Sequence, residues 1–322
     1  MESTRRWDAL DELRGFCVLK LILFNSIYMF YNAPAWLKHA QNSGGYYFAD
    51  IGGPLFLFSA GLAYYLSLQK RLRSDGYDKT RNHFVRRSLV LIAFGMIGEW
   101  LIHGKIGLYW GTLPMIGLST LITFPCIFLS NKMRVVTAFG ILALWQLILN
   151  FAGYESSVIK HDDMGGILAT LGWAPVMILA LPISEFSKSV KERNAPFFSY
   201  LAGLTLVWLG FLAAFMLSVQ FVPIRKLIVS SSYILFSLQL SIIALLFFEI
   251  KSRLRIAIPL LSTLGKNSLL IYMLSGINSL AIIHYFPAAL PFKYVICIAV
   301  AHISLLTLLA KYLEHKHLYI KL

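Results

Sequence analysis

The chain has 322 residues, of which 58% are hydrophobic and only 14% charged, with a formal net charge of +14. A soluble domain carries about 25% charged residues, so a water-soluble fold of this size is excluded, because it would have to hide too large a share of apolar surface. The basic excess does not point to nucleic acid, since most of it sits in short segments between apolar runs, as membrane topology requires.

Apolar runs of about 20 residues recur along the chain, each long enough to cross about 30 Å of hydrocarbon as a helix. The alternating segments of about 10 residues that mark a transmembrane barrel are absent. Spans are predicted near 13–31, 46–68, 88–103, 111–129, 135–151, 167–185, 197–219, 229–250, 265–286 and 294–313. The third is short, and Pro114 is expected to break the fourth. The fold class is therefore all-α: a polytopic membrane bundle of about ten transmembrane helices, forming one domain over 1–322. No small-residue cleavage site follows the first run closely, so that run is expected to remain as a signal anchor.

Orientation follows from the basic residues. With the N-terminus inside, the cytoplasmic segments hold 21 of the 29 lysines and arginines, among them Arg5, Arg6, Arg14, Arg71, Arg86, Arg87, Lys132, Lys251 and Lys321. The outer loops hold Lys38, Lys105, Lys160, Arg225, Lys226 and Lys293. This asymmetry predicts both termini inside and a multi-pass protein of the plasma (inner) membrane. Cys17, Cys126 and Cys297 are odd in number and lie in apolar stretches, so they read as small core residues rather than a disulfide framework.

The informative residues of such a chain are those that are costly to bury. The first span carries Arg14, Lys20 and Asn25. Arg14 and Asn25 are eleven residues apart, which returns them to within about 20° of one face, about 16 Å apart along the axis. Arg14 reads either as a snorkelling anchor or as a cation for an anionic ligand. Asn25 reads as interhelical hydrogen-bond glue or as a reactive-site amide. Lys20, on another face, is expected in an ion pair with Asp50 or Glu99. Beyond the span, His39 is a side chain able to take and return a proton near neutral pH. Asp50 opens the next span, either as an N-cap or as the acid behind that histidine. Gly44, Gly45, Gly52 and Gly53 would permit close backbone approach to a ligand or a sharp turn of the chain. Lys266 and Asn267 lie at the cytoplasmic lip of the ninth span.

Taken in order, LDELRGF at 10–16, Asn25, LKHA at 37–40, FADIGGPLFLFSAG at 48–61, Arg86–Arg87, GTLPMIGLS at 111–119, DDMGGILATLG at 162–172, FVPIRKLIVSSSYILF at 221–236 and LGKNSLLIY at 264–272 resemble the transmembrane acetyltransferases related to heparan-α-glucosaminide N-acetyltransferase and their bacterial relatives. The resemblance begins at Arg6 and spans nearly the whole chain. It implies transfer of an acetyl group from cytosolic acetyl-CoA to an acceptor across the membrane. The family's catalytic histidine, in a Lys-His-Ala setting ahead of an Ala-Asp element, corresponds to His39, with Asp50 as the acid. Its catalytic asparagine corresponds to Asn25. The chain departs from the family where NSGGYYF replaces a Trp-Asn-Gly segment, where Met115 stands for an arginine, and in having no long lumenal extension. The expected acceptor is thus an amino sugar or glycan component carrying an amine or hydroxyl, rather than an extended glycosaminoglycan.

Arginine forks suit phosphates, so Arg14, Arg86, Arg87, Lys266 and Asn267 are expected to hold acetyl-CoA as donor, in a cavity shared by the first two membrane helices. No metal or nucleic acid is expected. The lipid bilayer is the obligate partner, and a homodimer would be the commonest assembly. The rival reading is a small-molecule or lipid-linked solute transporter using the same polar pathway, although no inverted repeat is found. A membrane scaffold or sensor would leave His39, Asn25 and Arg14 separately dispensable.

Overall fold

A computed structural model describes residues 7–40, 45–155 and 164–319. The expectations placed on Arg5, Arg6, Gly44, Lys160, Lys321 and the first two residues of the 162–172 segment lie outside these. The described residues form helices and no strand. In chain order they are α1 (Asp8–Ile27), α2 (Gly52–His103), α3 (Thr112–Cys126), α4 (Asn131–Phe151), α5 (Gly166–Glu192), α6 (Phe197–Val219), α7 (Ser231–Arg253), α8 (Pro259–Lys266), α9 (Ser268–Tyr285) and α10 (Phe292–His315). Two short 3-10 turns, Ala35–Leu37 and Phe48–Ile51, lie between α1 and α2.

Among the described residues, seven helices are long and apolar enough to cross a membrane: α2, α4, α5, α6, α7, α9 and α10. The protein is therefore an all-helical, multi-pass membrane protein. Each predicted span coincides largely with helix, with departures from expectation at the junction of the second and third, in the fourth and in the ninth. The spans at 46–68 and 88–103 lie in two helical segments of α2 that meet at a kink at Gly76 (φ 77°, ψ 177°), a left-handed φ that glycine adopts without strain. The short third span is thus the end of an arm that begins just after the break. Pro114 does not interrupt the fourth span. It sits in the first turn of α3, where backbone N–H groups have no intrahelical acceptor to lose. The ninth span divides at Asn267 into α8 and α9.

The chain divides into two compact units. The first comprises Met1–His39, Tyr47–Gly52 and Ile243–Leu322. In it α1 packs on α8, α9 and α10, around a core of Phe24, Ile27, Phe30, Ala33, Leu37, Ala49, Val295 and Ala299. At the start of α1 the buried Glu12 pairs with the buried Lys251, and its other oxygen accepts the Ile258 N–H at 3.0 Å. A buried ion pair is tolerable only when such further hydrogen bonds satisfy it.

The second unit comprises Ala40–Tyr46 and Gly53–Ile242. Its central helix, α5, is buried along most of its length and packs on α3, α4 and α6. Arg134, at the start of α4, is buried and bonds the carbonyls of Cys126 and Ile127, which end α3, together with the Glu185 carboxylate. A cation here satisfies C-terminal carbonyls that lack helical partners. Met115, at the position of the family's arginine, is fully buried. Cys17 and Cys126 are buried and unbridged as expected, but Cys297 is exposed on α10.

Candidate active site

The predicted residues of α1 fall on two faces of one unbroken helix. Arg14 donates to Ser268 Oγ at 2.7 Å, and Asn25 donates to Ser275 Oγ at 3.4 Å. The two serines are seven residues apart on α9, which is also close to a whole number of turns. The Arg14–Asn25 stripe foreseen from helical periodicity therefore lies along α9. Arg14 also lies 4.0 Å from Asp11. Asn25 is half-buried, and its single long bond is weak by the usual geometric standard.

Lys20 faces elsewhere. The residue is 3% exposed, and its ammonium donates to the Ala49 carbonyl at 3.0 Å, one residue before Asp50. The expectation of an ion pair named Asp50 and Glu99 as partners. The observed hydrogen-bond acceptor is a backbone carbonyl in the Asp50 turn, while Glu99 belongs to the second unit, with its carboxylate 3.9 Å from His103 and against Gly111 at the start of α3.

His39 and Asp50 are brought together. His39 Nδ1 stands 2.9 Å from Asp50 Oδ1. Asp50 is 1% exposed, and its other oxygen accepts the Tyr47 N–H at 2.9 Å. That reciprocal cap closes the turn Phe48–Ile51. Asp50 is therefore not the N-cap, which is Tyr47, but the third residue of the turn, where one oxygen caps the Tyr47 N–H and the other meets His39. An ionised carboxylate only accepts, so toward Asp50 the ring is the donor, from Nδ1. The His39 side chain is 40% exposed, so the imidazole reaches beyond the protein interior while its acid does not. Leu37, two residues before His39, and Ala49, one before Asp50, share the core of the first unit, which seats both ends of the pair.

The residues expected at the donor mouth are distributed differently. Lys266 pairs with Glu314 of α10, which also accepts from Thr263 at 2.6 Å. Asn267 is buried and donates to the Leu318 carbonyl at 3.1 Å. Both therefore engage the C-terminal end of the chain, which sequence reasoning did not anticipate. Arg86 and Arg87 belong to the second unit, one exposed and one half-buried. Ser268 and Ser275 were missed because serine is cheap to bury in a helix, where its hydroxyl can bond its own backbone, as Ser275 does with the Tyr272 carbonyl. A groove of about 370 Å³ in the second unit, lined by Phe139, Leu142, Gln146 and Leu235 among others, contains none of the predicted residues.

A family model described as heparan-alpha-glucosaminide N-acetyltransferase, catalytic, matches residues 6–277 of the chain. No curated protein matches it. The match covers α1 through most of α9 and includes Arg14, Asn25, His39, Asp50, Lys266 and Asn267.

Proposed function

The chain belongs to the heparan-alpha-glucosaminide N-acetyltransferase catalytic family, and from that premise we propose that it is an acetyl-CoA-dependent transmembrane acetyltransferase acting on an amine or hydroxyl of an amino sugar or glycan component. The observation that carries this reading is the His39–Asp50 pair, a partly exposed imidazole with its acid buried behind it.

The acceptor amine or hydroxyl gives its proton to His39 Nε2 as it attacks the thioester carbonyl. Asp50 holds the ring in the required tautomer and stabilises the imidazolium that forms. The Asn25 amide exchanges its long contact with Ser275 for the developing oxyanion. The attack forms the new C–N or C–O bond; collapse of the oxyanion re-forms the carbonyl and breaks the C–S bond, and the imidazolium returns the proton to the departing CoA thiolate. Arg14, Lys266 and Asn267 are the first unit's donor-binding residues, and Arg86 and Arg87 offer guanidinium groups suited to phosphate. The chain makes about ten crossings of the plasma (inner) membrane as a single transmembrane acyltransferase domain, with both termini inside. The positive-inside asymmetry supports this arrangement.

The test uses purified protein in liposomes, radiolabelled acetyl-CoA and a panel of amino sugars. His39→Ala should lower the transfer rate by about 10²–10⁴ while leaving the thermal transition in place. Near-normal transfer by a folded His39→Ala protein overturns the assignment.

A further inference from the structure

We propose that Lys20 is a positioning residue, whose buried ammonium fixes the turn carrying Asp50 and through Asp50 sets the orientation of His39. This rests on the acetyltransferase reading for its consequence in catalysis, but its structural content stands apart from it.

The ammonium is enclosed by residues on both sides of Asp50. It donates to the Ala49 carbonyl at 3.0 Å and lies 4.8 Å from the Phe48 ring centroid. A Cβ added at Gly52 would stand 3.3 Å from it. The Phe24 ring, one turn along α1, lies 5.0 Å from the same nitrogen, and the Phe24 and Phe48 rings are 5.9 Å apart. The cation is thus held between an aromatic residue of the helix and one of the turn, an arrangement that favours it electrostatically once water is excluded. The Ala49 carbonyl also accepts the Gly52 N–H that closes the turn, so both of its acceptor positions are used, one locally and one by α1.

A lysine at this depth is costly to bury, and a surface of Phe24, Phe48 and Leu21 would accept an apolar side chain without that cost. What Lys20 adds is a tether from α1 to the one buried turn that supplies the acid. The same helix carries Asn25 one residue beyond Phe24. Lys20 therefore sets the relation between the helix bearing the amide and the turn bearing the acid, without itself touching the reacting atoms.

The test compares wild type, Lys20→Met and Lys20→Arg in lipid nanodiscs, with Lys20→Gln in reserve should the methionine variant lose its thermal transition. Methionine is close in volume and suits the aromatic walls, so the variant should fold. The first readout is the ring-nitrogen NMR signal of His39 in protein carrying isotope-labelled histidine, assigned by its loss in His39→Gln. Wild type should show the Nδ1–H form, Lys20→Met a shift toward mixed tautomers, and Lys20→Arg a return to the wild-type pattern. The second readout is acetyl transfer, where Lys20→Met should lose about 10–100-fold in kcat, with KM for acetyl-CoA changed by less than about twofold. An unchanged His39 signal in a folded Lys20→Met protein overturns the proposal, whatever happens to kcat. If wild type transfers no acetyl group, the acetyltransferase reading fails, and the His39 signal alone decides the role of Lys20.

Discussion

Gly15 and Gly265 bring α1 and α8 together backbone to backbone: a Cβ at Gly15 would overlap the Leu261 carbonyl, and one at Gly265 would overlap the Asp11 carbonyl. Helices in lipid associate through close packing of small residues, because burying apolar surface gains little there. Both obstacles are backbone and cannot swing aside. Gly15→Ala and Gly265→Ala should each destabilise the protein by about 1–3 kcal/mol, the usual range for overpacking, measured as a lowered thermal transition in detergent. An unchanged transition in both would mean that α8 shifts without cost.

Asp50→Asn separates the two duties of the carboxylate. The amide offers one acceptor oxygen where the native side chain uses two, toward His39 and toward the Tyr47 N–H. If the amide oxygen keeps the turn, the ring faces an NH2 group and loses its tautomer. Acetyl transfer should fall by about 10²–10⁴ with folding retained. Wild-type turnover by Asp50→Asn would reduce the carboxylate to a cap.

Glu314 stands on Lys266, one of the residues expected to meet the donor's phosphates. Replacing the carboxylate by Glu314→Gln removes a competing anion. The pair is partly exposed, so the gain is bounded by about 1 kcal/mol, roughly fivefold in Kd for acetyl-CoA. Calorimetric titration at low and high salt checks this, because the gain should shrink as salt rises. Equal affinities for variant and wild type would make the pair a structural staple of α8 and α10.

His83 lies in the polar connection between the predicted spans at 46–68 and 88–103, outside both. Burial pushes its imidazole below the ordinary value of 6.5, Arg71 and Arg87 push it further the same way, and Asp75 opposes them. A base depressed in the folded state binds its proton more readily once unfolded. Stability is therefore lost as pH falls from the ordinary imidazole range toward the lower folded value, and is fully present above that range. His83→Gln should remove this component, so that its thermal transition falls less than that of wild type on acidification from about pH 7.5 to 5.5. Equal losses in the two proteins would contradict the assignment.

The helices were legible because apolar length is hard to disguise: the runs that became α4, α6 and α7 were placed within a few residues, and that of α5 in its start, though the helix runs on to Glu192. The kink that joins the two segments of α2 was not legible, because it turns on the backbone of a single glycine, Gly76, within a charged stretch. The His39–Asp50 pair could be read from residue type and from the resemblance. The hydrogen bond from Lys20 to the Ala49 carbonyl could not, since a search for opposite charge passes over a backbone acceptor. Glu314 was overlooked for a related reason: an acid near the end of a last helix looks solvated until the fold lays α8 beside it.

Helix α1 works as a ruler. It touches α9 at Arg14 and again at Asn25, with Lys20 gripping the acid-bearing turn from another side. Substitutions along it change one contact at a time. An insertion or deletion of a single residue between 14 and 25 would instead rotate everything beyond it by about 100° and slide it by about 1.5 Å, taking the amide off its stripe while the arginine stayed in place. The spacing between those two residues is thus less tolerant than the identity of most residues within it, and homologous chains should vary in sequence over this stretch far more readily than in length.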